Sequence, residues 1–506
     1  MEDLTLNGKQ FQCKGTSVVR LQPAEGGTPV QAEVLLTCKS SDYTALGGVV
    51  VDGQRRVRFG LVKPVACAAV VTELRLDERD FVVSYNHDTR SWTAVWKWSW
   101  GEEPGVLYNT AKEYSPTEEA RASYEEELQT WIKNRRLVPY DEKKYGAARG
   151  LTPVMAVVQR NKSKVRPVMD FRDLNGYIDT FTADTDVCAQ KLREWRRQGV
   201  NISIIDLKNA YLQICIDESL WPFQTVTFRG RRYCLTRLGF GLNVAPLVMK
   251  AVLNLVLSLD ESVKKGTAAY IDDILVNEDV IEARRVELHV ARYGLTCKPH
   301  ERVADGARVL GLTVWGEQGR LMWKRDNQVA TVPERLTRRS VFSYCGRLVS
   351  HFPVCGCLRV ASGFVKKRIN DASASWGEVV DDRELRALLL EIADVVKKRD
   401  PAQGRWDISG DSAKVWVDAS ALAIGVAVEV NGSIIEDVAW QCPHDTCHIN
   451  MAEFDDVIKG LNLALTWQMK KIEIITDSAT VHRWISDGLL GRTRLKTKAA
   501  SEMLIR

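Results

Sequence analysis

The chain has no apolar run approaching the roughly 18 to 20 residues of a membrane-spanning helix, so no helical membrane protein and no membrane partner are expected. Its 12 cysteines lack the close, repeated spacings of a disulfide framework, and it opens on the acidic run Met1-Glu2-Asp3 where a secretory leader would be basic and then apolar. Reduced thiols and an intracellular setting are therefore expected. Strong charge is lacking too: 70 basic against 65 acidic residues leave a formal +5, too little by itself to identify a nucleic-acid partner. Without internal repeats or low-complexity tracts, neither a solenoid nor a disordered tail fits. What remains is ordinary globular balance, 45% hydrophobic and 27% charged over 506 residues, enough for two to four domains.

Residues 1–105 are rich in Val, Gly and Thr, with short alternating runs such as Gln31 to Leu36 and Val49 to Val51, and read as a β-rich segment ending near 105 to 110. Trp96, Trp98 and Trp100 alternate onto one strand face, which reads as core packing. Glu118 to Arg136, with Ala120, Tyr124, Leu128 and Ile132 at helical spacing, predicts an amphipathic helix. From about 150 to 330 strand-like and helical runs alternate as in a mixed α/β layer. Residues 331–400 turn helical, with arginines and lysines from Arg335 to Arg368 spread along them, and a last α/β unit starts at Lys414 to Val417.

The most informative stretch is Tyr270-Ile271-Asp272-Asp273 between the apolar flanks Ala268-Ala269 and Ile274-Leu275-Val276. Two adjacent carboxylates repel, and one tends to protonate unless divalent cations hold both charges. Asn201 to Ile205 is a second buried run, ending in Asp206 and followed by Leu207-Lys208-Asn209-Ala210-Tyr211. Alone, Asp206 reads equally well as a helix cap. Paired in space with Asp272 and Asp273 it would present hard oxygen ligands suited to Mg²⁺ and to two-ion nucleotidyl transfer.

Arg166-Pro167-Val168-Met169-Asp170-Phe171-Arg172-Asp173-Leu174-Asn175, Asp206 to Tyr211, Leu238-Gly239-Phe240-Gly241-Leu242-Asn243-Val244-Ala245-Pro246 and Tyr270 to Asp273 follow one another in the order and approximate spacing of reverse transcriptases. Gly294-Leu295-Thr296-Cys297-Lys298 and Val309-Leu310-Gly311-Leu312 continue the series. The chain thus resembles the Pol protein of a long-terminal-repeat retroelement, and around Tyr344-Cys345-Gly346-Arg347-Leu348 it is most similar to the Bel/Pao type. The resemblance implies a right-hand polymerase of fingers, palm and thumb, two Mg²⁺ ions on Asp206, Asp272 and Asp273, deoxynucleoside triphosphates as substrates and an RNA or DNA template-primer duplex as partner. It implies Arg166 as a triphosphate contact, Tyr211 as the gate against a 2′-hydroxyl, Phe240 and Gly241 as the surface under the nascent base pair, and Lys298 as proton donor to pyrophosphate. Bland readings stand beside these: a solvated arginine, a core tyrosine, a surface lysine. Arg160, Lys162 and Lys164 read either as a phosphate-contacting hairpin or as a solvated turn.

A second constellation follows. Val415-Trp416-Val417-Asp418, Met451-Ala452-Glu453 and Ile472-Glu473-Ile474-Ile475-Thr476-Asp477 resemble ribonuclease H, whose Asp, Glu and Asp hold two Mg²⁺ ions against an RNA–DNA hybrid. That family carries a fourth acid, and usually a His, in a closing helix that would lie past Arg506. The unit is therefore expected to be partial and weak or inactive, with hybrid cleavage regained on extension by that helix. Cys442, His444, Cys447 and His448 suggest zinc but lack a second ligand pair, and read as a hairpin-to-helix connection. Ala45 to Val51 with Arg56 to Gly60 resembles the tail of a retroelement aspartic protease, yet no Asp-Thr-Gly or Asp-Ser-Gly occurs, so a remnant or a plain β-rich spacer is expected.

The expected architecture is α+β and multi-domain: a β-rich segment at 1–105, fingers and palm at 106–330, a helical thumb or connection at 331–405, and a partial ribonuclease H-like α/β domain at 411–506. The expected function is RNA-directed DNA polymerase. The competing readings are a degenerate or co-opted relic that binds nucleic acid without polymerising, and an RNA-dependent RNA polymerase, which Tyr211 and the ribonuclease H-like unit disfavour.

Overall fold

The computed structural model describes residues 74–99, 101–107, 114, 116–159, 164–178, 180, 187–327, 329, 331–420, 423–441 and 449–490, together with the backbone of six short strands ahead of residue 60. The chain divides into two compact units, Met1–Thr72 and Glu73–Arg506. In the first, the described strands pair locally: Leu4–Leu6 with Lys9–Phe11, Cys13–Leu21 with Val30–Thr37, and Val50–Val51 with Val57–Arg58. The rest of the protease-like stretch, Trp100, the cationic pair Arg160 and Lys162, the side chain of Lys164, the Cys442–His448 cluster and residues 491–506 lie outside the described residues.

The break falls at Thr72, well before the expected 105. Leu74–Asp77, Phe81–Asn86 and Ser91–Trp96 form an antiparallel meander, and Ser91–Trp96 then takes Ile214–Ile216 as a parallel neighbour. Strand composition alone did not reveal this, because the partner strand lies over a hundred residues downstream and only long-range pairing assigns the meander to the larger unit. Trp92 and Trp96 fill that core, and Trp98 sits just past the strand with its ring 5.8 Å from that of Trp96.

Glu118–Lys133 is helical, burying Ala120, Tyr124, Leu128 and Trp131. The hairpin Val154–Gln159/Lys164–Met169 and the sheet Leu137–Pro139, Arg231–Leu235, Thr225–Phe228 occupy the expected fingers region. The central sheet runs in the order Thr267–Tyr270, Asp273–Asn277, Ile202–Asp206, Glu301–Arg302. Its support is the helix Ala245–Ser258, whose Val248, Met249, Val252, Leu253, Val256 and Leu257 recur at three- and four-residue steps and are all buried. Pro246 in the first turn costs that helix no hydrogen bond.

Beyond the palm, Ala307–Val309, Leu312–Glu317, Arg320–Arg325 and Gln403–Arg405 make a second antiparallel sheet. Between its last two strands the chain makes three helices, Arg338–Val349, Gly356–Asp371 and Arg383–Lys398, which share one apolar core with that sheet and with the far side of the palm. The last sheet is ordered Ser433–Gln441, Ala423–Val430, Ser412–Ala419, Lys471–Ile475, antiparallel except for the final pair. Helix Ile449–Thr466 covers it at Gly460, where a Cβ would stand 2.7 Å from a Val415 methyl and 2.9 Å from one of Val417.

Candidate active site

Asp206 faces Asp273 across the antiparallel pair of Ile202–Asp206 with Asp273–Asn277, and Tyr270 faces Asp273 on the other side. Ile271 and Asp272 are therefore the two central residues of a tight hairpin. Ile271 sits at φ 55°, a left-handed conformation that costs an isoleucine about 1–2 kcal/mol. The buried run Ile274-Leu275-Val276 anchors one arm, and the Leu207 amide donates to the Asp272 carbonyl at 3.1 Å. The turn is thus pinned to the strand that ends in Asp206.

All three aspartates are half-buried. Burial pushes the Asp272 carboxyl above the usual carboxylate range, with the charge of Asp206 adding to it. Asp273 is pushed up to about 7, by burial first and then by Asp272 and Asp206. Lys298 answers part of this excess charge. Its amide donates to the Asp206 carbonyl at 2.8 Å, and its ammonium pairs with the Asp206 carboxylate. The turn carrying it is held by Gln213, which accepts from the Thr296 amide at 2.6 Å and donates to the Thr296 carbonyl at 3.0 Å. Gly294 is at φ 76°, and a Cβ there would collide with the Arg90 carbonyl.

Among the described residues no three Asp, Glu, His or Cys side chains stand together as a ready ligand set for a metal ion. Asp206, Asp272 and Asp273 nevertheless meet at one hairpin, and Asp418, Glu453 and Asp477 at one sheet end. In the first group the Asp206 carboxylate is engaged by Lys298. The donor chemistry still fits a hard divalent cation, since these are clustered carboxylate oxygens whose mutual repulsion such a charge would relieve.

Beside this turn stands the expected nucleotide-side group. Tyr211 lies in the short 3₁₀ turn Ala210–Gln213, entered through Asn209 at φ 59°. Its ring meets Phe240 edge-to-face at 5.2 Å, and the Arg166 guanidinium lies over Phe240 at 4.6 Å. Burial, with the Asp272 charge second, pushes the Tyr211 phenol up to about 12, so it is neutral. Gly241 is at φ 100°, and a Cβ would come within 2.9 Å of the Met169 carbonyl. The loop is stapled by residues to which sequence reasoning gave no role. Asn175 donates to the Gly241 carbonyl at 2.9 Å and accepts from the Asn243 amide at 2.9 Å, while Asn243 donates to the carbonyls of Asn175 and Ile178 at 3.2 and 3.0 Å.

In the last domain, Trp416 faces Ile475 across the parallel pair, so Asp418 and Asp477 each lie two residues past this register at the same sheet end. Glu453, on the covering helix, accepts from the Ser478 hydroxyl at 2.6 Å, which brings it to the same place. Asp456, one helical turn on from Glu453, was missed. It is fully buried, with neither carboxyl oxygen hydrogen-bonded among the described residues, and burial followed by the charges of Glu453 and Asp418 pushes it up to about 7. An apolar helix face interrupted by one acid was its only sequence signal.

Residues 157–296 match the family described as reverse transcriptase (RNA-dependent DNA polymerase), residues 417–503 the reverse transcriptase-like family, and residues 337–398 a domain of unknown function, DUF7047. A curated relative, the uncharacterized protein K02A2.6 of Caenorhabditis elegans, is 28% identical over 141 residues, 27% of this chain; the chain spans about a tenth of that protein's length. Among solved structures, a foamy viral protease-reverse transcriptase in complex with dsDNA is 16% identical with a TM-score of 0.57, covering 78% of this chain and 84% of that one. The same viral enzyme in complex with RNA/DNA hybrid is 14% identical with a TM-score of 0.56, covering 97% and 68%. These likenesses agree with the α+β fold and with the order of the motifs. Residues 157–296 thus carry a reverse transcriptase domain and residues 417–503 a reverse transcriptase-like one, within an α+β fold similar to that of the viral enzyme.

Proposed function

We propose that this chain is an RNA-directed DNA polymerase that extends a primer by nucleotidyl transfer, with a ribonuclease H-like domain directed at RNA–DNA hybrid. The observation that carries the reading is the convergence of Asp206 with Asp272 and Asp273 at a strained hairpin, next to the stacked trio Arg166, Phe240 and Tyr211. Asp206, Asp272 and Asp273 would hold Mg²⁺, which when bound supplies the positive charge that activates a 3′-hydroxyl and steadies a leaving pyrophosphate. Arg166 offers a guanidinium to the triphosphate from its place over Phe240. Tyr211, neutral and packed against Phe240, gives a rigid edge that excludes a 2′-hydroxyl. Lys298, paired with Asp206, would serve as the donor to the leaving pyrophosphate. Asp418, Glu453 and Asp477 would hold Mg²⁺ in the second centre.

The template-primer duplex and dNTPs belong to this proposal, as does an intracellular setting. Among the described residues no helix is long and apolar enough to cross a membrane. Primer extension on RNA and on DNA templates, with dNTPs and with rNTPs, tests the polymerase reading. Asp272→Asn is expected to abolish extension while duplex binding in a gel-shift assay persists; continued synthesis would refute the assignment. A second reading, a relic that binds nucleic acid without polymerising, is separated by the same assay. It predicts duplex binding with no extension by the unaltered chain.

A further inference from the structure

Glu436 and Asp437 are neighbours on the strand Ser433–Gln441, and successive strand side chains point to opposite faces. They are gripped from opposite sides by the two parts of the polymerase. On one side Arg193, in helix Val187–Arg196, forks onto Glu436 through bonds of 2.8 and 2.7 Å, and the Trp467 indole donates to the same carboxylate at 2.7 Å. Arg196, fully buried, donates to the carbonyls of Ile435, Arg405 and Trp406 at 2.6, 2.9 and 3.1 Å. The same helix packs against Thr267–Tyr270, the strand leading into the catalytic hairpin. On the other side, Asp437 accepts from the amides of Cys355 and Gly356 at 2.7 and 2.8 Å, where helix Gly356–Asp371 begins. The Asp437 amide donates to the Pro353 carbonyl at 2.9 Å, and Arg359 donates back to the Asp437 carbonyl at 2.5 Å.

We propose that this strand braces the polymerase from outside, holding the palm and the three-helix segment at a set separation. Glu436 and Asp437 are then positioning residues for primer extension, although they belong to the ribonuclease H-like sheet. Palm and helices already share an apolar core, but apolar contact is non-directional and lets packed helices slide by small shears. A bidentate guanidinium–carboxylate pair and a carboxylate on two helix-terminal amides fix direction as well as distance. The ribonuclease H-like domain thereby gains a role in synthesis that needs none of its own carboxylate chemistry.

The inference rests on the polymerase reading, so its test has two readouts, both on the full chain. The variants are Glu436→Gln, Asp437→Asn and their combination. Glu473→Gln serves as the control, because it removes only an exposed ion pair with Lys414 in the same domain. The paired exchange Arg193→Glu with Glu436→Arg is the rescue. In primer extension with a trap for dissociated enzyme, the combined variant should raise the chance of termination per added nucleotide by at least about twofold, the low end of couplings between contacting groups. Hydrogen exchange should show faster exchange in both Val187–Arg196 and Gly356–Asp371. Glu473→Gln should match the unaltered chain, and the paired exchange should recover part of the lost processivity. Glu436→Gln keeps the side chain's shape, so it remains informative if the combined variant fails to fold. Unchanged termination and unchanged exchange in folded variants would overturn the brace. So would an equal loss from Glu473→Gln. Absence of any extension by the unaltered chain would instead defeat the polymerase reading, and exchange alone would then decide the brace.

Discussion

Asp273 shows what folding does to a carboxyl packed among other acids. Burial and two neighbouring acids push its carboxyl up to about 7. A carboxyl whose proton affinity rises on folding stabilises the fold fully below about pH 4, its unfolded range, and loses that contribution as the pH climbs through the folded value. In chelator-treated protein, Asp273→Asn should therefore raise the melting temperature at pH 8, and the gain should shrink at pH 5. A gain of equal size at both would show that Asp273 is not under this strain. Tyr211 is tested differently. Tyr211→Ala removes the edge beside Phe240 and should raise ribonucleotide incorporation relative to deoxyribonucleotide, read as the ratio of kcat/KM values. An unchanged ratio would remove its gate role. At Gly241, alanine must accept φ 100° and approach the Met169 carbonyl, so Gly241→Ala should cost about 1–3 kcal/mol of stability in thermal or denaturant melts. The residue types and their order were legible in the sequence; the Asn175–Asn243 staple was not, because hydrogen-bond partners more than sixty residues apart leave no local pattern.

Among the elements, the helices were the easiest to foresee. Glu118–Lys133 buries Ala120, Tyr124 and Leu128 at the expected spacing, with Trp131 taking the place expected of Ile132, which is only partly buried. Val309-Leu310-Gly311-Leu312 forms a hairpin, because Leu310 at φ 48° and Gly311 at φ 78° reverse the chain. Helix Ile449–Thr466 depends on Gly460 for its close approach to Val415 and Val417. Gly460→Leu should overpack this contact by about 1–3 kcal/mol and lower the stability of the last domain first, seen as earlier hydrogen exchange in its sheet. Uniform exchange across the polymerase and the last sheet would mean that they unfold as one.

For the whole molecule, Arg196 marks how closely the last domain is joined to the polymerase. Burial draws its proton affinity down to about 10, yet it remains a cation held by three carbonyls and lies 5.2 Å from the Trp467 ring. Arg196→Ala would leave those carbonyls buried and unpaired, at about 1–3 kcal/mol for each one that water cannot reach. A large fall in the midpoint of chemical unfolding is expected, and a shift no greater than for an exposed arginine such as Arg229 would contradict it. No composition or charge count announced this junction, because Arg196 and the carbonyls that hold it are more than two hundred residues apart in sequence.

The linear chain by itself determined the order of motifs, the placement of the candidate aspartates at or beside strand ends and the helices that bury one face, because these depend on neighbours a few residues away. Tertiary structure decided the rest: the unit boundary at Thr72, the engagement of Asp206 by Lys298, the burial of Asp456, and the grip on Glu436 and Asp437. Each of these arises from charges or backbone groups that folding brings together from distant parts of the chain, where burial strengthens what water would have screened.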